Sequence, residues 1–134
     1  MTQSYSPVEK NTILMPSGAT DHLHFVCCNP VFYPAYNTEC VLLVNVSSIK
    51  QNLEYDTSCI LQIGDHPFIT RPSYVYYKKA DIFGIETIKR SIAQGDFTVH
   101  QDCDEPVFQR ILGGFKVSDE TKGRVLKFYE KYCR

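Results

Sequence analysis

The feature that most constrains the fold is an uninterrupted apolar run near the middle of the chain. Residues 40–50 read CVLLVNVSSIK, in which Val and Leu stand side by side instead of alternating with polar residues. Because successive side chains of a strand point to opposite faces of a sheet, a strand needs such a run when both of its faces are covered. We therefore expect this segment to be the central strand of a sheet.

Shorter β-type segments surround this central strand. HLHFVCCN (22–29) alternates like a strand, SCILQI (58–63) is a short apolar strand, and SYVYYKKADIF (73–83) resumes an aromatic alternating pattern. Two prolines keep the intervening residues 64–72 out of regular pairing. The connections are too short for crossover helices, so neighbouring strands should be antiparallel.

The hydrophobic period changes to that of helices in the last third of the chain. Isoleucines recur at helical spacing over residues 85–94. A proline at the start of EPVFQRIL (105–112) indicates a second helix, which Gly113 and Gly114 should close. Ser118, followed by two acidic residues, predicts the start of a third helix.

The order of strands first and helices afterwards predicts the fold class. We expect an α+β fold, with a small curved antiparallel sheet or an SH3-like barrel and C-terminal helices. DFTVHQD (96–102) is either a short strand or an extended link. The 134 residues suit one domain, which we assign to 21–134. Residues 1–20 are polar and interrupted by proline and glycine, and predict a flexible N-terminal arm.

The cysteines indicate a reducing environment. The first 18 residues contain no basic start followed by an apolar run, so we expect no signal peptide, six reduced thiols and a cytoplasmic protein. No C-x-x-C pair is present, and no apolar run is as long as a membrane span. We accordingly predict neither a metal site nor a membrane partner.

Charge is distributed unevenly along the chain. The net charge of −1 excludes a uniformly basic nucleic-acid binder. Residues 1–70 contain two lysines against six acids, whereas residues 71–134 contain twelve basic against nine acidic residues. The second half therefore offers either a basic face to a polyanion or an ordinary solvated surface on helices.

Several familiar catalytic signatures are absent. The chain contains no G-x-x-x-x-G-K-[ST], G-x-G-x-x-G, G-x-S-x-G or H-E-x-x-H motif. The His, Ser, Tyr, Arg and Lys residues that remain suit metal-free handling of a phosphodiester, in which two groups transfer protons and a cation stabilises the phosphate. We therefore predict no cofactor.

The segment IGDHPFITRPSYVYYKK (63–79) holds most candidates for such a site. His66 is either a site histidine oriented by its neighbour or a turn histidine bonded to backbone. Arg71 either binds a phosphate or pairs with a nearby acid, and Ser73 either donates to a phosphate or merely begins the strand. The predicted single strand would place Tyr74, Tyr76 and Lys78 on one face, where with Lys79 they could bind single-stranded nucleic acid, or simply form a half-buried sheet edge.

Two further candidates lie on the predicted strands. His22 and His24, two residues apart, should point the same way and form either a proton-transfer pair or a solvent-facing pair. Ser48 ends the central strand, beside a loop, where sites are often built on a rigid support. Our predicted catalytic set is His22, His24, Ser48, His66, Arg71 and Ser73.

Three segments, HLHFVCCNPVF, VLLVNVSS and PSYVYYKKADIF, resemble strands of the MazF/PemK-like toxin family over roughly residues 20–85. The resemblance implies an SH3-like barrel that acts as a metal-independent endoribonuclease on single-stranded RNA, with an antitoxin protein as partner and a homodimer as the assembly. Ser47 or Ser48 would match the hydroxyl-bearing catalytic position of that family.

The chain departs from the family pattern at its arginine. Asp21 and His22 stand where the resemblance would require that arginine. Either His22 or His24 replaces it, or the barrel is present without nuclease activity. The alternatives are a non-catalytic module that binds nucleic acid or protein, and an accessory protein that buries Tyr74 and Tyr76 in a dimer contact.

Overall fold

The protein is an α+β fold built on an antiparallel sheet, as the order of its segments predicts. A computed structural model describes residues 5–17 and 20–133. Within these ranges the strands are β1 (Thr12–Ser17), β2 (Thr20–Val26), β3 (Val31–Tyr33), β4 (Thr38–Ser48), β5 (Ile60–Leu61), β6 (Ser73–Val75), β7 (Asp81–Gly84) and β8 (Thr98–His100). The helices are α1 (Ile85–Ala93), α2 (Glu105–Val117) and α3 (Gly123–Tyr132).

The sheet is open and is organised around β4. Its order is β5-β6-β4-β2-β1-β8, with β3 and β7 also paired to β4, and every pairing is antiparallel. Residues 40–46 of β4 are all buried. The prediction of a central strand covered on both faces is confirmed, and the sheet does not close into a barrel in the described part of the chain.

The predicted flexible arm differs from the structure at residues 12–17, which form β1. This strand lies between β2 and β8, and its Ile13 is fully buried. Pro16 is tolerated because β8 pairs only with Thr12–Leu14, so one side of β1 is already without a partner strand at the proline. The predictions for residues 1–4, 18 and 19 lie outside the described residues.

The predicted strand over 73–83 divides into three pieces. β6 ends at Val75, a 3₁₀ turn spans Tyr77–Lys79, and β7 follows. The strand is interrupted because Tyr77 turns into the core, where it is fully buried and its hydroxyl donates a 2.6 Å hydrogen bond to the Ile111 carbonyl of α2. The prediction that Lys78 shares a strand face with Tyr76 is therefore wrong.

The two predicted helix boundaries around residue 115 are also wrong. The α2 helix continues through Gly113 and Gly114 to Val117 because Phe115 anchors its last turn in the core, stacked 5.0 Å from Tyr129. Ser118 does not begin a helix. Its hydroxyl donates to Asp56 at 2.5 Å and accepts from the Glu120 N–H, which stabilises a turn, and α3 begins five residues later.

Among the described residues, no helix combines the length and apolar character needed to cross a membrane.

Candidate functional site

A groove opens where the ends of four sheet strands, β2, β4, β6 and β8, lie beside the 67–71 loop. We call it the sheet-end groove, and its volume is about 560 Å³. Its walls are formed by Thr20, Asp21, His22, Val46, Ser47, Ser48, Lys50, Pro67, Phe68, Ile69, Thr70, Arg71, Ser73 and His100. Four of the six residues of the predicted catalytic set line it: His22, Ser48, Arg71 and Ser73.

Strand register determines which side chains point into the groove. Thr12 of β1 pairs with both Phe25 and His100, and Phe25 pairs with Val44, so these four side chains share one face of the sheet. Ser48 is four residues beyond Val44 and lies on the same face. The ring of His100 and the hydroxyl of Ser48 therefore belong to the groove side.

Asp21 and Ser73 belong to the same face for the same reason. Asp21 is four residues before Phe25 along β2, and Ser73 is directly opposite Ser48 in the β4–β6 ladder. A carboxylate, an imidazole and two hydroxyl groups are thus brought to one side of the sheet by four different strands.

His22 and His24 extend from the opposite face. His24 pairs with Asn45, whose parity along β4 is opposite to that of Ser48. The prediction that His22 and His24 point the same way agrees with β2. However, the shared face is not the groove face, and His22 borders the groove only where β2 begins.

Both histidines are poorly placed for proton exchange with a ligand. His24 Nδ1 lies 3.1 Å from the carbonyl oxygen of His22, and burial lowers the pKa of His24 from 6.5 to about 4. His22 Nδ1 is buried and has no hydrogen-bond partner within the described ranges. Neither observation supports a catalytic pair formed by these two rings.

Two cations border the groove without an ion-pair partner in the part of the chain that the structure describes. Arg71 is exposed, Lys50 is exposed, and the four ion pairs found among residues 5–17 and 20–133 use other cations. Asp21 is the one carboxylate on the groove wall. With both histidines neutral, the groove residues therefore sum to a single positive charge.

Ser73 positions the backbone that carries Arg71. Its buried hydroxyl donates a 2.9 Å hydrogen bond to the Arg71 carbonyl, and the Ile49 N–H donates to the Pro72 carbonyl at 3.0 Å. Both contacts connect the 67–71 loop to the sheet. Ser73 is therefore a positioning residue, whereas the Ser48 hydroxyl makes no hydrogen bond to the described residues.

His66 lies behind the groove wall and not in it. Its ring is buried, its Nδ1 accepts from the Phe68 N–H at 3.0 Å, and its Nε2 donates to the Gln101 carbonyl at 2.6 Å. Burial is the main cause of the lowered pKa of His66. Of the two interpretations of this histidine, the turn histidine bonded to backbone agrees with the structure.

The imidazole that does face the groove, His100, was not among the predicted site residues. The His100 ring lies 5.9 Å from the Phe68 ring, and its Nδ1 accepts a 2.8 Å hydrogen bond from the Gln101 N–H. An Nδ1 that accepts leaves the proton of a neutral ring on Nε2, which is then a donor. The signal in the sequence was only the short alternation TVH in a segment that was either a strand or a link.

The predicted nucleic-acid-binding aromatics form a separate cluster. Tyr74 is opposite Ser47, so it lies on the sheet face away from the groove, with its ring 5.5 Å from Tyr55 and 5.4 Å from Tyr76. The Lys79 ammonium lies 5.8 Å from the centre of the Tyr76 ring. We call Tyr55, Tyr74, Tyr76 and Lys79 the tyrosine cluster. Tyr55 was not among the predicted residues.

The arrangement in the groove matches an anion with several oxygens. Arg71 and Lys50 offer charged donors, while His100 Nε2 and the Ser48 hydroxyl offer neutral ones. No group of three or more His, Cys, Asp or Glu side chains within the described ranges could hold a metal ion. No protein-family model matches the chain, and no curated protein sequence matches it significantly.

Proposed function

We propose that the sheet-end groove binds the phosphodiester backbone of single-stranded RNA and cleaves it without a metal ion. The observation that supports this proposal is the convergence of Arg71, Lys50, Ser48, His100 and Asp21 at one groove. Arg71 and Lys50, which have no carboxylate partner among the described residues, favour a phosphate there, because its oxygens can accept a charged hydrogen bond from each cation.

The groove residues suggest a division of roles in cleavage. The Asp21 carboxylate would take the proton of the ribose 2′-hydroxyl, whose oxygen attacks the phosphorus. The 5′-oxygen leaves and takes a proton from His100 in its imidazolium form, while Arg71 and Lys50 stabilise the charge on the phosphate. The products are a 2′,3′-cyclic phosphate and a 5′-hydroxyl end.

A second candidate is RNA binding without cleavage. It is favoured by the hydrogen bond that His100 Nδ1 accepts, because an imidazolium ring must give that bond up. The tyrosine cluster favours it as well, since its rings, of which Tyr55 is exposed and Tyr74 and Tyr76 are partly exposed, lie next to a lysine and could stack on bases regardless of sequence. Both candidates require the same phosphate contacts.

The wider biological setting is part of the proposal. We propose that the chain acts in the cytoplasm and that it is the toxin of a toxin–antitoxin pair, the role that the MazF/PemK-like resemblance implies. The antitoxin protein and a homodimer remain predictions of that resemblance.

The test combines binding and cleavage of a fluorescent single-stranded RNA in EDTA. We expect Arg71→Ala to lower affinity about tenfold, since a charged hydrogen bond contributes about 1.5–3 kcal/mol. It should also reduce the slope of log affinity against log salt by about 0.7, the effect of one lost phosphate contact. Arg90→Ala, which removes an exposed arginine of α1 that lies away from the groove lining, is the matched control.

His100→Ala distinguishes the two candidates. If the groove cleaves RNA, we expect His100→Ala to keep most of its RNA affinity and to lose cleavage. If wild-type protein binds RNA and leaves it intact, the groove is a binding site without catalytic activity. Equal RNA affinity of wild type, Arg71→Ala and Arg90→Ala would contradict the phosphate groove itself.

A further inference from the structure

The 67–71 loop lies between the sheet-end groove and a second cavity of about 550 Å³. We call this second cavity the rear cavity, and residues 63–66 form part of its lining. Pro67, Ile69 and Thr70 line both cavities, so a single stretch of chain forms the wall between them. The position of the 67–71 loop therefore determines the shape of the groove.

His66 joins the start of this wall to the end of β8. Its Nδ1 accepts the 3.0 Å hydrogen bond from the Phe68 N–H, and its Nε2 donates the 2.6 Å hydrogen bond to the Gln101 carbonyl. The His66 residue is only 2% exposed. The other end of the wall is held by Ser73, whose hydroxyl donates to the Arg71 carbonyl. The loop is thus fixed at both ends, and His66 fixes the end that carries Phe68.

The two hydrogen bonds of His66 require a neutral ring with its proton on Nε2. A second proton would bind to Nδ1 and turn this atom into a donor, which would then face the Phe68 N–H, also a donor, at 3.0 Å. A charged ring can therefore keep its bond to the Gln101 carbonyl and must give up its bond to Phe68. The direction in which burial shifts the pKa of His66, downward from 6.5, agrees with a ring that stays neutral in this position.

The titratable groups nearest to the His66 ring act in opposite directions. His100 of β8, with its ring centre 5.2 Å from that of His66, opposes a positive charge on His66, whereas Asp104, before α2, favours one. From β2, the ring that packs against His66 is the apolar side chain of Phe25, with the ring centres 6.1 Å apart. Burial and the neighbouring imidazole thus outweigh the carboxylate and keep His66 neutral near pH 7.

Two more carboxylates line the rear cavity with His66, and both have partners. Asp65 forms a 3.3 Å ion pair with Arg110 of α2, and Asp102 accepts a 3.0 Å hydrogen bond from the Asn11 amide. Asp102 is exposed, so a proton from solvent can reach the His66 ring through this cavity.

We propose that His66 is a positioning residue for the groove wall and acts as an acid-sensitive anchor, which holds Phe68 when the ring is neutral and releases it when Nδ1 binds a proton. The effect on RNA rests on the proposed function of the groove, because the Phe68 ring lies 5.9 Å from His100 and the same loop carries Arg71. A ring that is harder to protonate in the anchored state than in the released state favours release in acid. The groove should therefore lose RNA affinity as the pH falls from 6.5 towards the lowered pKa of His66.

The anchor itself is tested by NMR on the full-length, ¹⁵N-labelled wild-type protein without RNA. The ring nitrogens report the protonation of His66, and hydrogen exchange reports the protection of the Phe68 N–H. We expect the proton on Nε2 at pH 7.5, and protection of the Phe68 N–H that falls at least about tenfold as Nδ1 gains its proton. The Tyr76 N–H, which donates to the Asn45 carbonyl at 2.8 Å, is the matched reference and should stay protected.

Two results of this experiment would overturn the anchor. One is a Phe68 N–H that stays protected after His66 has bound its second proton, and the other is a neutral ring with its proton on Nδ1. Because no RNA and no variant is involved, this outcome is independent of the proposed function and of whether a substituted protein folds.

The effect on the groove is tested by RNA affinity in EDTA between pH 7.5 and pH 5.5. His66→Asn supplies an amide oxygen that can accept near the position of Nδ1 and that does not titrate. We expect the affinity of wild type relative to His66→Asn to fall at least about threefold over this range, the effect of one lost neutral hydrogen bond. His24→Gln, which replaces another partly buried histidine on the face away from the groove, should keep the wild-type profile.

The ratio of affinities separates this effect from the other histidine of the groove. A proton on His100 would strengthen phosphate binding in acid in all three proteins, so it leaves the ratio between wild type and His66→Asn unchanged. A ratio that is the same at every pH would show that His66 has only a structural role, and it would overturn the link between the anchor and the groove. Failure of the phosphate groove itself is recognised separately, from equal affinities of Arg71→Ala and Arg90→Ala.

Discussion

Two adjacent glycines of α2 provide a sharp test of the packing around Tyr77. Gly113 is exposed, and a methyl group added there would have no atom within 4 Å. Gly114 is buried, and the same methyl group would overlap the Tyr77 hydroxyl oxygen and lie 2.8 Å from Cε2 of that ring. The same substitution, one residue apart, should therefore have opposite effects.

The expected magnitudes follow from helix propensity and packing. Gly→Ala inside a helix contributes about 1 kcal/mol of stability, so Gly113→Ala should raise the free energy of unfolding by about that amount. At Gly114 the same gain is opposed by overpacking, which costs about 1–3 kcal/mol. Displacing Tyr77 also breaks its hydrogen bond to the Ile111 carbonyl, and a buried unpaired hydroxyl costs about 1–3 kcal/mol more.

Urea unfolding of the two variants measures this difference directly. We expect Gly113→Ala to unfold at higher urea than wild type and Gly114→Ala at lower urea, with a gap of at least about 2 kcal/mol between them. Tyr77→Phe is the control for the hydrogen bond alone. It should not rescue Gly114→Ala, because the added methyl group still overlaps the Cζ atom of the ring.

The outcome for Gly113 also tests where α2 ends. Had the helix stopped at this glycine, as the sequence predicts, a left-handed backbone there would make alanine destabilising. Loss of stability in Gly113→Ala, or wild-type stability in Gly114→Ala, would therefore refute the continuous helix and its contact with Tyr77.

Three more perturbations test interactions outside the groove lining. His24→Gln should reduce the loss of stability between pH 6.5 and 4, because the native state requires a neutral ring whose pKa burial has lowered from 6.5 to about 4. The difference from wild type in urea titrations should reach about 3 kcal/mol at pH 4, and parallel profiles would contradict it. His66→Ala removes two hydrogen bonds and a buried ring, so at pH 7 it should cost about 2–4 kcal/mol in urea unfolding. Arg124→Met breaks a half-exposed 2.8 Å ion pair with Asp81 and should cost no more than about 1 kcal/mol in the same assay.

The elements that the sequence predicted well are those with a strong local pattern. The apolar run of 40–50 became β4, and the isoleucines of 85–94 became α1, with Ile85 and Ile88 buried. In both cases the period of the side chains alone indicates which faces are covered. For these two elements, the structure changes only the residues at which the strand and the helix begin and end.

The wrong predictions concern residues whose partners are distant in the chain. Nothing within α2 indicates that Gly114 faces a tyrosine 37 positions earlier, so the two glycines resembled a helix end. In the same way, Tyr77 looks like one more residue of an alternating strand until Ile111 supplies an acceptor for its hydroxyl. In both cases the contact between Tyr77 and α2 in the core outweighs the local preference, which is for a helix end at the glycines and for a continuous strand at Tyr77.

The residues of the sheet-end groove were also difficult to predict where their position depends on distant strand pairing. The loop residue Arg71 could be recognised because it lies between bends of the chain, but His22 and His24 were assigned by their spacing, which fixes only that they share a face. The pairing of His24 with Asn45 determines that this face is the one away from the groove. His100 faces the groove because Thr12 of β1 pairs with both Phe25 and His100. A histidine in a strand therefore becomes a site candidate only when its register is known, because a shift of one residue moves its ring to the other side of the sheet.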